Sequence, residues 1–361
     1  WTYDLDNDAT GVQALGAGEQ VTDTVTAVVV DELGASDTAT IEITVTGVDD
    51  TTPFIANEAA SGSIDRPHAV LVADFDGDGD QDILVAATNE DRLIWLENDG
   101  AETFTRRDLP ADLDGAFELT IADLDEDGDL DLVGVAFNDT VGADVLWYEQ
   151  QVDPVTGART FASAQVNTSN LGAAHSVEVA DIDGQGGLDI VVAAQNDDTV
   201  YWFSNDGSET FTERTVDTGL TSVRISDVGD IDGDGDIDIV SAVQGDSQVV
   251  WHENDGNGNF TSNVVGAAAT VNSVVIEDID GDGYLDIASA DSGENKVKVF
   301  LNNDDANAGT LTFSEVLVFD HPGVGLFSIA ADDIDCDGDI DLMSAARSNG
   351  EIFWYEQQDD G

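Results

Sequence analysis

Five aspartates fall within nine residues at DFDGDGDQD, which starts at Asp74. Carboxylates at positions 1, 3, 5 and 9 of this stretch are Asp74, Asp76, Asp78 and Asp82, and Asp80 at position 7 can offer its backbone carbonyl. Alternating oxygen donors on a turning loop are what a hard cation with six or seven ligands takes. The pattern returns five times. DLDEDGDLD carries Asp123, Asp125, Asp127, Asp129 and Asp131, and DIDGQGGLD carries Asp181, Asp183, Gln185 and Asp189. DIDGDGDID carries Asp230, Asp232, Asp234, Asp236 and Asp238. DIDGDGYLD carries Asp278, Asp280, Asp282, Tyr284 and Asp286, and DIDCDGDID carries Asp333, Asp335, Asp337, Asp339 and Asp341.

The donor set favours Ca²⁺. Mg²⁺ demands stricter octahedral geometry and keeps its water. Zinc would need His or Cys, and the loops hold only Cys336, at a non-ligand position. An EF-hand is ruled out because no helical pattern flanks the loops and no glutamate stands at position 12. A single acidic stretch could be an ordinary β-turn, but six in one register argue for about one bound ion each. The loop from Asp181 is the weak copy: Gln185 replaces an aspartate and Gly187 stands at position 7. In the fifth loop Tyr284 loses nothing if only its carbonyl is used.

The elements that must position these loops repeat with them. Successive loops start 49, 58, 49, 48 and 55 residues apart, about the length of a four-stranded propeller blade. Each follows an apolar strand such as HSVEVA (175–180) and precedes another such as IVVAA (190–194). A third strand comes after a polar turn, with Trp95, Trp147, Trp202, Trp251 and Trp354 in one register and Val299 in the remaining copy. Packing between blades is the expected role of these tryptophans. A fourth strand starts at Phe104, Phe161, Phe211, Phe260 or Phe313. Short strands, tight turns and no helical period predict an all-β chain, a propeller of about six four-stranded blades. The sixth unit lacks its fourth strand, and Phe54 stands 20 residues before Asp74, as a fourth-strand Phe should. The segment from Phe54 is therefore expected to complete the last blade and close the ring, with seven blades the alternative if the chain continues.

The strand–loop–strand unit around DxDxDGxxD resembles the FG-GAP calcium-binding propeller repeats of integrin α-subunit heads and many bacterial extracellular proteins. The resemblance covers residues 54–361 and implies calcium between the first and second strands of each blade. It transfers fully to the loops from Asp74, Asp123, Asp230, Asp278 and Asp333, and partially to that from Asp181. Residues 1–50 do not follow the repeat. WTYDLDN, VQALGAGEQVTDT and ITVTGVDD resemble the C-terminal half of a VCBS module, an immunoglobulin- or cadherin-like sandwich of bacterial surface proteins. That gives two expected domains, 1–50 and 51–361. Asp49 and Asp50 could hold calcium between them or be solvated turn residues.

Composition narrows the function. The chain has 361 residues, with 77 acidic and 10 basic residues and a net charge of −67. Nucleic acid is excluded as a partner because phosphate binding needs clustered Lys and Arg. No stretch approaches the roughly 20 apolar residues of a membrane span. With one cysteine no intrachain disulfide forms. Bound cations and high salt are the two settings that tolerate such charge. Six divalent ions would offset only a minor part of it, so the expected location is extracellular or cell-surface, in a saline medium. Because residue 1 is Trp, the sequence reads as a piece of a longer polypeptide.

Six residues before each Asp loop stand His68, Phe117, His175, Arg224, Asn272 and Phe327. With the loops between second and third strands (88–91, 137–144, 195–198, 244–247, 291–296, 347–350), they form the candidate ligand surface, opposite the Asp loops. The expected function is a calcium-stabilised module for adhesion, for glycan or protein recognition, or for assembly with neighbouring copies. The alternatives are a ligand-free spacer and an extracellular polysaccharide-acting enzyme such as a lyase. Of four histidines, only His68 and His175 could converge with Arg224, and no nucleophile–base–orienter set is visible, so the expectation is no enzyme.

Overall fold

The computed structural model describes residues 20–30, 36–46, 59, 63–101, 103–110, 112–138, 144–153, 155–167, 169–208, 210–303, 311–320 and 323–357. The chain divides into two compact units, Trp1–Glu58 and Ala59–Gly361. In the first, Gln20–Val30 and Ser36–Thr46 pair as an antiparallel hairpin. Alternating β-branched residues favour that pairing. The strand expected from Phe54, and Asp49 and Asp50, lie outside the described residues.

The second unit is an all-β propeller of six blades. Strands one to four of each blade pair in sequence order, as in Ala174–Ala180, Asp189–Ala194, Thr199–Asn205 and Phe211–Thr218 of blade 3. The sixth blade has three described strands, Leu326–Asp332, Asp341–Ala346 and Glu351–Tyr355. First strands of consecutive blades touch one another and so line the central channel. Second and third strands read as continuous apolar runs because both of their faces are buried between blades.

Each inter-blade core is built around the tryptophan register. Trp95, Trp147, Trp202 and Trp251 are buried. Each meets the fourth-strand phenylalanine of the next blade edge-on: Trp95–Phe161, Trp147–Phe211, Trp202–Phe260 and Trp251–Phe313, at 6.1, 6.1, 6.2 and 6.3 Å between ring centroids. This is the preferred geometry for aromatic pairs. Between blades 5 and 6, where Val299 stands in that register, a groove of about 570 Å³ runs along Val299, Leu301, Val316, Val318, Leu342 and Tyr355.

Blades 6 and 1 each present one uncovered face. Trp354 is 49% exposed and Ile352 73%, whereas Trp147 in the same register is 2% exposed. In the first strand of blade 1, Val70 and Val72 are 68% and 58% exposed, while Leu119, the counterpart of Val70 in blade 2, is 4% exposed.

Candidate functional site

The Asp loops bring their first, third and fifth carboxylates together. One oxygen from each of Asp74, Asp76 and Asp78 lies within 4.8 Å of the others, and the same holds for Asp123, Asp125 and Asp127, for Asp230, Asp232 and Asp234, and for Asp278, Asp280 and Asp282. Position 6 explains the geometry: Gly79, Gly128, Gly235, Gly283 and Gly338 have φ between 95° and 101°, where a side chain is strained. Their N–H groups donate to the position-1 carboxylates Asp74, Asp123, Asp230, Asp278 and Asp333. Position 4 is also left-handed, and Glu126 and Cys336 accept it at φ 60° and 63°.

Three observations show that these clusters fit a cation. Among the described residues the carboxylates converge with no basic residue between them, except that Arg159 of blade 2 stands 3.7 Å from Asp76. One buried oxygen each of Asp74, Asp230 and Asp278 has no hydrogen-bond partner. Burial first, then neighbouring carboxylates, raise Asp232 and Asp280 above the ordinary carboxylate range.

The third loop departs from the others. Its cluster is Asp181, Asp183 and Asp189, drawing on position 9 because Gln185 replaces the position-5 carboxylate. Asp183 also accepts a hydrogen bond from the Ser204 hydroxyl. The position-7 residues Asp80, Asp129, Asp236, Tyr284 and Asp339 donate their N–H to the position-5 carboxylate.

Position 9 has a structural task. Asp82, Asp131, Asp189, Asp238, Asp286 and Asp341 are buried, and one oxygen of each accepts the N–H of the residue closing the third strand: Asn98, Gln150, Asn205, Asn254, Asn302 and Gln357. The second oxygen of Asp131, Asp189, Asp238 and Asp286 accepts the position-2 N–H of its own loop. Burial raises Asp131, Asp189 and Asp286 to about 6 and Asp238 to about 7 despite these donors. The strand-closing side chains then reach back one blade. Asn205, Asn254 and Asn302 donate to the carbonyls of Leu124, Ile182 and Ile231 in the preceding loops. The recurrence of these asparagines at one register is the only trace of this role in the sequence.

The opposite end of the channel holds the other candidate set. In every blade the first strand carries a β-bulge at its start, and His68, Phe117, His175, Arg224, Asn272 and Phe327 fall at the break in register. A bulge re-aims a side chain out of the pleat. His68 stacks on Phe117 at 3.5 Å between centroids, and Phe117 meets Phe137 at 4.8 Å and His175 at 4.6 Å. The ring N–H of His68 Nδ1 donates to the Phe117 carbonyl at 3.0 Å. Burial, then the charges of Arg224 and His68, push His175 down to about 3, so it is neutral. Asn272 is occupied, accepting from Gln244 and donating to the Leu326 carbonyl. The Arg347 guanidinium lies 5.5 Å over the Phe327 ring.

Several side chains of the neighbouring loops are spent on structure. Asp91, Asp198 and Asn295 accept N–H groups of the turn that starts the next blade, at Gly115, Ser222 and Gly325, and Asp197 and Asp246 accept those of the turn that starts their own blade, at Gly172 and Thr221. His252 is a core residue: its two ring nitrogens meet Ser262 and Ser241, and burial lowers it to about 4.

Solved structures with this architecture are distant in sequence. An Agrocybe aegerita lectin, described for recognition of non-reducing terminal N-acetylglucosamine, superposes with TM-score 0.55 at 22% identity over 82% of each chain. The BBS1N structure in complex with ARL6DN gives 0.56 at 13% identity, over 83% of this chain and 82% of that one. A functionally unknown protein from Desulfotomaculum acetoxidans gives 0.50 at 15% identity, over 81% and 90%. At these identities the likeness shows the fold. No curated protein sequence matches the chain. The model of the FG-GAP-like repeat matches four times, over residues 74–134, 181–241, 230–289 and 278–344, so the repeats carry both the fold and the Asp loops and the chain belongs to the FG-GAP-like repeat family.

Proposed function

We propose that this propeller is a calcium-stapled, extracellular or cell-surface recognition module whose ligand, a glycan or protein, docks at the channel mouth ringed by the bulged residues. The observation that carries the reading is the bulge itself. It takes one residue per blade out of the strand ladder, at one end of the channel, in all six blades. Regular pairing would have been the lower-energy default, so repeated bulges argue for side chains aimed at something. The lectin of the same fold shows that such propellers recognise sugars in at least one other protein. A glycan-array screen of the whole chain tests the reading, with His68→Ala, at an exposed position of the mouth, as the control that should abolish a positive signal.

Calcium is the cation the Asp loops fit best, supplied by position-1, -3 and -5 carboxylates whose partnerless buried oxygens await a positive charge. When bound, the ion would neutralise loop charge and tie the first strand of a blade to the second. The loop from Asp181 should bind more weakly. At tenfold excess over Kd each ion adds about 1.4 kcal/mol. Melting in chelator should therefore fall by at least about 5 °C relative to millimolar calcium; unchanged melting would remove calcium from the picture. The hairpin at 20–30 and 36–46 supports a VCBS-like sandwich strand pair in the first unit.

One observation favours the enzymatic alternative. His68, His175 and Arg224 do converge, and His68 keeps its Nε2 lone pair free when Nδ1 carries the proton. A base beside a cation is what proton abstraction next to a carboxylate requires. Turnover of an acidic polysaccharide, lost in His68→Ala, would establish a lyase; its absence leaves the binding module.

A further inference from the structure

The chain has ten Lys and Arg among 77 acidic residues, so a guanidinium without a carboxylate needs explaining. Six of the ten are ion-paired: Arg92, Arg106, Arg107, Arg159, Lys296 and Lys298. Arg214 lies over the Trp202 ring at 5.0 Å. The remaining three are Arg66, Arg224 and Arg347, and none has a carboxylate within 4.0 Å among the described residues. All three stand at the channel mouth. Burial first disfavours the charged forms of His68, His175 and Arg224, and the nearby charges of Arg66, Arg224 and Arg347 in turn add to it. In so acidic a molecule, this is a local pool of uncompensated positive charge.

Two buried nitrogens at the same place lack partners. His175 is 5% exposed and its Nδ1 has none, and neither does Arg224 Nε. A buried donor left unmade costs about 1–3 kcal/mol, so such groups normally meet an acceptor. Along the same strands, Glu178 and Asp227 follow three residues after His175 and Arg224. Beyond Arg224 the first strands carry no Lys or Arg, so an anion would be held at the entrance. Beside the cations stand aromatic rings: the exposed His68 stacked on the buried Phe117, and Phe327 under Arg347.

We infer that the mouth binds a carboxylate-bearing sugar, with Arg224 and Arg347 taking the carboxylate and the exposed ring of His68, backed by Phe117, facing the pyranose ring. A guanidinium fork matches a carboxylate in two parallel hydrogen bonds. An aromatic face suits the C–H side of a sugar and leaves its hydroxyls in water. This deepens the reading of the mouth as the ligand surface and rests on it.

The test is calorimetric titration of the whole chain, in calcium-containing buffer, with galacturonate and its trimer against galactose and its trimer. The uronate should bind about tenfold or more tightly than the neutral sugar, from the loss of one charge-assisted contact. Arg347→Gln, at an exposed position, should remove that preference without lowering the melting temperature, and Arg224→Gln should do the same. Equal binding of neutral and acidic sugars overturns the carboxylate inference and leaves the mouth reading intact. Equal binding of uronate by wild type and both variants places the anion elsewhere and also overturns it. If no sugar binds and the glycan array is blank, both fail.

Discussion

Glu178 stands in the channel wall with no counter-charge. Burial first, then the charges of Asp227 and Glu118, raise its carboxyl to about 8, and burial raises Glu118 to about 7. In an unfolded chain a glutamate titrates near 4.3. Between that value and about 8 the folded state therefore holds more protons than the unfolded one. Its contribution to stability is fully present below about pH 4 and is lost as pH rises through the folded value. Glu178→Gln should melt several degrees higher than wild type at about pH 9 and at an equal temperature at about pH 4. A constant difference across that range would mean the carboxyl ionises freely. At this scale the sequence was most legible in the Asp loops, where the alternate spacing of the carboxylates matches their convergence in the structure. The buried roles of Asp131, Asp189 and their equivalents were not, since position 9 looks like one more ligand until the N–H groups of Gln150 and Asn205 are seen to occupy it. Whether Arg224 is paired was equally invisible, because its partners are decided by strands from other blades.

Between strands the repeated unit is Trp on Phe across a blade boundary. Five tryptophans in one register and the phenylalanine opening each fourth strand are enough to indicate that role from sequence. What the register could not tell was which boundary each ring would close. Trp147 is sealed against Phe211, whereas Trp354 remains half in solvent. Trp147→Ala should cost about 3–5 kcal/mol in denaturant unfolding, the penalty of a large core deletion. Trp354→Ala should cost less than half of that, since little area is withdrawn from water there. Equal losses would show that the two faces are equally covered in solution. The bulges were also hidden at this scale: the six diverse residues were found by alignment, but an extra residue in a ladder shows only when the strand is paired.

The whole chain carries a net charge of −67 with few cations to answer it. Self-repulsion of this size destabilises a compact state, and salt relieves it as the Debye length falls from about 10 Å at 0.1 M to about 3 Å at 1 M. With calcium chelated, melting should rise by several degrees between those salt concentrations; a fall would mean that attractive pairs dominate. Six blades, their order and their length were readable from the 48–58-residue period, because each blade is a local unit that pairs only with its neighbours. The bulged strand starts have a consequence for how such a molecule can change. A residue outside the ladder can be exchanged without shifting any strand by a step, so the mouth and the scaffold vary independently. On the proposed reading, recognition is spread over six positions, one per blade, and a new preference can be acquired one blade at a time while the Asp loops at the far end stay as they are.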